Sequence, residues 1–142
     1  MADLTVNQVA KKMGIPATKL RYYIKQGLFP FIETADNGYH IFKDSDLGWV
    51  HFALMLRETG MALADVKHYE NLTLEGVVSV PERIEILTKQ QETLDAKQQK
   101  IQQQQDLINV KISRYRDVLA GKTVDKWTPE YYHFEIGEGN ES

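Results

Sequence analysis

The apolar positions of this chain follow a helical rhythm, then briefly an alternating one, then a helical rhythm again. Val6, Val9, Ala10 and Met13 recur at helix spacing behind Thr5, and Gln8 stands three residues after that threonine. The pattern predicts a first helix opened by a Thr5–Gln8 capping box and ended at Gly14. Pro16 opens a second helix, which runs to about Gln26 and closes at Gly27. Its Leu20, Tyr23 and Ile24, with Leu28 just beyond, face inward. That leaves Thr18, Lys19, Arg21, Tyr22 and Lys25 facing out. Two short helices joined by a tight glycine-containing turn make a helix-turn-helix.

The period then shortens. Ile32 to Ala35 and Tyr39 to Phe42 are predicted strands of a hairpin turning at Asn37-Gly38, a dipeptide suited to positive φ at both turn positions. A hairpin this small is not stable alone and must lean on the helices as a wing. A third helix is predicted from Ser45 to Thr59, capped by Asp44 and ended by Gly60, with Leu47, Val50, Leu54 and Leu56 on its apolar side. A fourth runs from about Leu63 to Glu70 behind Ala62, a poor cap. The stretch "NLTLEGVVSV" is expected to connect this fourth helix to a longer one beginning at Pro81.

From Pro81 to about Ala120 the pattern is long and regular. Ile84, Leu87, Gln91, Leu94, Gln98, Ile101, Gln105, Ile108, Ile112, Tyr115 and Leu119 are spaced alternately by three and four. This heptad seam predicts a coiled coil, a rod roughly 60 Å long at ~1.5 Å per residue. The glutamines in the seam cost stability and can fix register and partner orientation. A lone exposed helix would leave Leu94, Ile101 and Ile108 uncovered on one side, so two chains account for the stripe better. The expected fold class is mainly α: a winged helix-turn-helix head followed by a long coiled-coil dimerisation helix. The expected boundaries are 1–75 for the head, 76–80 for a connector, 81–120 for the dimerisation helix and 121–142 for a tail.

Charge changes the picture locally. The formal net charge is −3 over 142 residues, which alone argues mildly against nucleic acid as a partner. Yet every charged side chain from Leu4 to Ile32 is basic: Lys11, Lys12, Lys19, Arg21 and Lys25. A ligand close to the second helix meets that local field and not the average. The final "WTPEYYHFEIGEGNES" holds four glutamates and no Lys or Arg.

There is no cysteine, so disulfides and thiolate metal sites are excluded, and the four histidines are not spaced as metal ligands. No metal and no cofactor is expected. No apolar run approaches a membrane span, and the N-terminus lacks signal-peptide layout, so the expected location is cytoplasmic, with no membrane partner. No glycine-rich phosphate loop, catalytic triad order or paired acids in a recognisable setting is present, and no enzyme is expected. In the tail, Trp127, Tyr131, Tyr132 and Phe134 cluster within eight residues. Such a cluster packs on the rod or the fourth helix, or walls a pocket for a small-molecule effector.

The outward row of the second helix suits DNA. In a helix-turn-helix the second helix enters the major groove, which brings Thr18, Lys19 and Tyr22 to base edges and Arg21, Lys25 and the wing to phosphates. A solvated face on a structural helix would leave the wing and rod unexplained together.

Residues 4 to 70 resemble the DNA-binding domain of the MerR family of bacterial transcription regulators. The resemblance rests on "TVNQVAKKMGIPATKLRYYIKQGLF", then "NGYHIF", then "DLGWVHFALMLRETGMALADVK". It covers about half of the chain. It implies that Arg21 and Tyr22 meet the DNA backbone and groove edge, that Tyr23, the second tyrosine of the pair, belongs to the DNA-binding set while placed partly in packing, and that Tyr39 is the wing tyrosine. It also implies that Arg57 and Lys67 lie on a second wing, formed by helices three and four, and meet phosphate. The wing arginine of the family is His40 here, which offers less phosphate attraction when neutral and a weaker or pH-sensitive contact. Ile24 stands where an acid is usual, and Ala62 where a serine cap is usual.

The implied partners are double-stranded promoter DNA, a second copy of the chain in an antiparallel helix pair, RNA polymerase indirectly, and a candidate small-molecule effector. The implied mechanism is distortion of promoter DNA by the homodimer. The alternative is a coiled-coil interaction protein or architectural DNA-binding protein with no sensing role.

Overall fold

The computed structural model describes residues 3–126 and 128–130. The chain separates into two compact units, Met1–Leu94 and Asp95–Ser142. Helices α1 (Val6–Met13) and α2 (Ala17–Lys25) open the first. The predicted capping box is formed: Thr5 Oγ1 accepts the Gln8 N–H at 3.2 Å, and the Thr5 N–H donates to Gln8 Oε1 at 2.9 Å. Both helices end in the same way. Gly14 and Ile15 bond back to Lys11 and Ala10, and Gly27 and Leu28 bond back to Ile24 and Tyr23. Each glycine takes positive φ, 73° and 94°, which turns the following apolar residue toward the core.

The hairpin is smaller than its sequence predicts. Strands β1 (Glu33–Thr34) and β2 (His40–Ile41) pair antiparallel, Glu33 with Ile41 and Thr34 with His40. The turn is not a two-residue one. The Gly38 N–H donates to Ala35 O, the Ala35 N–H donates to Tyr39 O, and only Gly38 has positive φ (87°). That is a three-residue loop, a turn followed by one left-handed glycine. Asn37 instead uses its side chain, accepting the Tyr39 N–H at 3.1 Å.

The wing is held from three sides. Leu4 and Phe42 exchange both backbone hydrogen bonds, at 2.8 and 2.9 Å, adding a bridge of the N-terminal segment to the hairpin. Lys43 Nζ lies 2.8 Å from Glu33, whose carboxylate raises the lysine above its usual range by hydrogen bond and charge. Beneath, Phe29 meets both Phe31 and Phe42 edge-on, and Phe31 meets Trp49 of the next helix.

A 3-10 turn at Asp44–Asp46 leads into α3 (Leu47–Glu58), so this helix begins later than Ser45. Its buried line is Val50, Ala53 and Leu56, while Leu47 and Leu54 are only partly covered. Helix α4 (Leu63–Leu74) runs one turn past the predicted Glu70, taking the first residues of the expected connector. The reason is packing: Leu72 is buried, and Leu72 O accepts the hydroxyl of buried Ser79. The rest of that connector is a 3-10 helix, Gly76–Ser79, running directly into α5 (Val80–Leu119). Arg83 closes this elbow, donating from Nε to Ser79 Oγ at 3.0 Å and from Nη2 to Gly76 O at 2.8 Å.

Along α5 only the first turns meet the core, through Ile86 and Leu87. The seam residues Ile84, Leu94, Ile101, Ile108, Ile112, Tyr115 and Leu119 are all exposed in the single chain. No helix among the described residues is long and apolar enough to cross a membrane.

Candidate nucleic-acid interface

Burial sorts α2 by side. Leu20 and Tyr23 are buried, whereas Thr18, Lys19, Arg21, Tyr22 and Lys25 are exposed, as the spacing predicts. Tyr23, counted with the DNA-binding set from sequence, is turned to the core and not to the outer row. Only 4% of it is exposed, because it faces the core beside Leu20. Its ring instead organises cations: Lys19 Nζ and the Arg57 guanidinium carbon each lie 6.0 Å from its centroid. At that range a ring attracts a cation by about 0.5–1 kcal/mol at an exposed site.

Two clefts gather the candidate residues. One, of about 250 Å³, is lined by Lys19, Tyr23, His51 and Arg57 among others. Arg57 is half-buried there and donates from Nη1 to Met61 O at 2.7 Å, which fixes it to the turn before α4. The other, of about 700 Å³, lies between the start of α1 and the wing and brings together Asn7, Arg21, Tyr39 and His40. Arg21 Nη2 donates to Asn7 Oδ1 at 3.0 Å. Tyr39 is 73% exposed, and His40 Nδ1 lies 3.4 Å from Thr34 Oγ1.

Lys67 is exposed on α4, and its end runs over Gly27, where an added Cβ would lie 2.8 Å from both Cε and Nζ. It thus stands at the C-terminal end of α2, where a cation complements the helix dipole. The structure adds two neighbours to the residues named from sequence: Asn7, bonded to Arg21, and His51, in the cleft with Lys19 and Arg57. Asn7 is exposed on the first turn of α1 and His51 is exposed on α3, and neither carries a local sequence signal.

Trp127, Tyr131, Tyr132 and Phe134 lie outside the described residues.

Residues 4–72 match the family described as MerR HTH family regulatory protein. An uncharacterized HTH-type transcriptional regulator of Haemophilus influenzae is 31% identical over 116 residues, 82% of this chain and 86% of that protein. The chain belongs to the MerR family. The HTH-type transcriptional regulator AdhR of Bacillus subtilis is 32% identical over 91 residues, 64% of this chain and 65% of AdhR. Among solved structures, HiNmlR, a MerR family regulator lacking the sensor domain and bound to promoter DNA, superposes with a TM-score of 0.75 at 30% identity. That match covers 87% of this chain and 93% of HiNmlR. A MerR family regulator from Bacillus thuringiensis gives 0.73 at 30% identity, over 80% of this chain and all of that one. MerR members are transcription regulators and not enzymes, and this chain is a helix-turn-helix transcription regulator.

Proposed function

We propose that the chain binds promoter DNA as a homodimer and controls transcription by distorting that DNA. The observation that carries this reading is the exposed row Lys19, Arg21, Tyr22 and Lys25 on α2, beside an exposed wing tyrosine, Tyr39. With α2 in the major groove, Thr18, Lys19 and Tyr22 meet base edges. Arg21, Lys25, Tyr39, His40, Arg57 and Lys67 meet the backbone. The solved relative HiNmlR, bound to promoter DNA, supports this placement. A regulator that reads promoters in this way works in the cytoplasm.

The exposed seam supports the dimer. A second copy of α5 would cover Ile84, Leu94, Ile101, Ile108, Ile112, Tyr115 and Leu119. It would also fill a groove of about 400 Å³ that carries the seam onto the head, between Phe52 and Met55 of α3 and Leu87 and Leu94 of α5. Residues 1–75 would form the DNA-binding head, 76–80 the elbow, 81–120 the dimerisation helix and 121–142 the effector region. Bending a promoter costs on the order of 1–6 kcal/mol, offset by contacts from two heads held at a fixed spacing. A small-molecule effector would act by differential affinity for two dimer states, with RNA polymerase responding to the altered DNA.

Fluorescence anisotropy with the DNA upstream of the chain's own gene, against a random duplex at several salt concentrations, tests this. Selective binding that weakens steeply with salt is expected. Equal, weak binding to both duplexes, together with no bending of the upstream DNA by energy transfer between end labels, would favour a protein-binding head.

A further inference from the structure

Glu70 is the one charged side chain in the buried set among the described residues, 2% exposed on α4. Its Oε1 accepts the backbone N–H of Phe29 at 3.1 Å. Its Oε2 is buried with no hydrogen-bond partner among the described residues. Phe29 is equally unusual. It is the single non-glycine with positive φ (62°) there, a conformation that is strained for an L-residue. Phe29 also occupies a strategic place: it lies just past the Gly27 cap of α2, and its ring packs on Phe31 and Phe42 below the wing. A side chain from α4 thus grips the strained bend through which α2 passes to the hairpin.

A glutamine would make the same bond without a charge, so the acid itself calls for a reason. The charged groups on the surrounding elements do not neutralise it. Lys25 ends α2, Lys67 lies over Gly27, and His68 pairs with Glu82. Arg57 of α3 is bonded to Met61 O, and Arg83 of α5 to Ser79 and Gly76. None is hydrogen-bonded to Glu70.

We propose that Glu70 is a positioning residue for DNA reading, fixing α2 against the wing through Phe29 when protonated and releasing that bend when ionised. This rests on the DNA-binding reading above. When neutral, the buried carboxyl accepts the Phe29 N–H without the cost of a buried charge. Ionised, it is an unpaired buried charge, and water reaches it only if α4 and the Phe29 bend part. Because α2 and the wing must touch DNA together, a loosened bend weakens binding. Burial holds the carboxyl up to about 7, which places the change near neutral pH, and the Phe29 N–H opposes that rise only in part.

The test uses the full chain and Glu70→Gln. First, the Phe29 amide shift is tracked by NMR from about pH 6 to about pH 8. It is expected to titrate near neutrality in the natural protein and to stay flat in the variant. Second, operator affinity is measured over the same range at fixed salt. The natural protein is expected to lose several-fold more affinity on raising pH than Glu70→Gln, which carries the same His40, His51 and His68. A flat Phe29 amide in the natural protein overturns the proposal, and this holds even if the variant fails to fold. Equal pH slopes in the two proteins also overturn it. Absence of operator binding by both proteins at every pH overturns the DNA reading and the use made of it here, and an amide that still titrates marks the failure as lying there.

Discussion

Asn7 accepts a 3.0 Å hydrogen bond from Arg21, so the first helix of the pair holds a cation of the second in place. An arginine with one donor fixed offers its remaining donors to a phosphate at a smaller loss of side-chain freedom. Asn7→Ala is expected to weaken operator binding by on the order of 0.5–1.5 kcal/mol while leaving thermal stability nearly unchanged. Arg21→Ala should weaken binding on all duplexes and reduce the salt slope by about 1. A salt slope identical to that of the natural protein would remove Arg21 from the phosphate contacts.

His40→Arg should have the opposite sign. It adds a permanent cation at the wing beside Tyr39, so affinity rises and the salt slope steepens by about 1. Anisotropy titrations at three salt concentrations measure both.

Tyr23 separates stability from recognition. Tyr23→Ala opens the core and should cost about 3–5 kcal/mol of folding stability. Tyr23→Leu keeps an apolar side chain but removes the ring that Lys19 and Arg57 lie against. Its urea midpoint should shift far less, while operator affinity still drops. If Tyr23→Leu bound DNA like the natural protein, the ring would have no part in placing those cations.

At Gly27 the positive φ sets the penalty, because the end of Lys67 passing overhead is flexible and can move aside. Gly27→Ala should destabilise by at least about 1 kcal/mol from the backbone alone. Adding Lys67→Ala should recover little, since the lysine end can move aside and the backbone cost remains. A double-mutant cycle in urea reads the difference.

The seam predicts oligomeric state. Ile101→Glu paired with Ile108→Glu places charges in the apolar stripe and should give a monomer by sedimentation equilibrium. Gln98→Leu should tighten the dimer, because polar seam residues cost stability. A natural chain that sediments as a monomer at micromolar concentration would leave the exposed stripe without its proposed cover.

Folding stability should depend on pH through Glu70. Its carboxyl sits at about 7 when folded, above the 4.5 of an ordinary glutamate, so the folded chain holds the proton more tightly. Its contribution is fully present below about 4.5, falls as pH rises toward about 7, and is absent above. The loss is on the order of 3 kcal/mol. Urea midpoints should decline over that window in the natural protein and change less in Glu70→Gln.

Much of the head could be read from sequence because its signals are local. Thr5 with Gln8, and Gly14 and Gly27 behind apolar stripes, need only neighbours a few residues away to decide them. Where distant residues decide, the sequence signal is weaker. Asn37-Gly38 alone suits a two-residue turn, but the Leu4–Phe42 bridge and the aromatic packing under the wing settle on a three-residue loop. The connector reads as polar and irregular, yet Leu72 and Ser79 bury together and prolong α4. Glu70 gave no signal, since nothing in its neighbourhood marks a surface-type residue as bonded to Phe29. The inward side of Tyr23 is legible from its spacing, while its place as the second tyrosine of the family pair points toward DNA. The dimer seam is written in the period of α5 and is left uncovered in a single chain.

The Leu4–Phe42 bridge also has a consequence for synthesis. Helices α1 and α2 settle against each other through contacts close in sequence, which form quickly and can form early as the chain emerges. The bridge cannot close until the hairpin exists. Until then Leu4 has no backbone partner across the bridge. A nascent chain paused before Phe42 would present the Leu4 segment as an unpaired strand edge, open to mispairing.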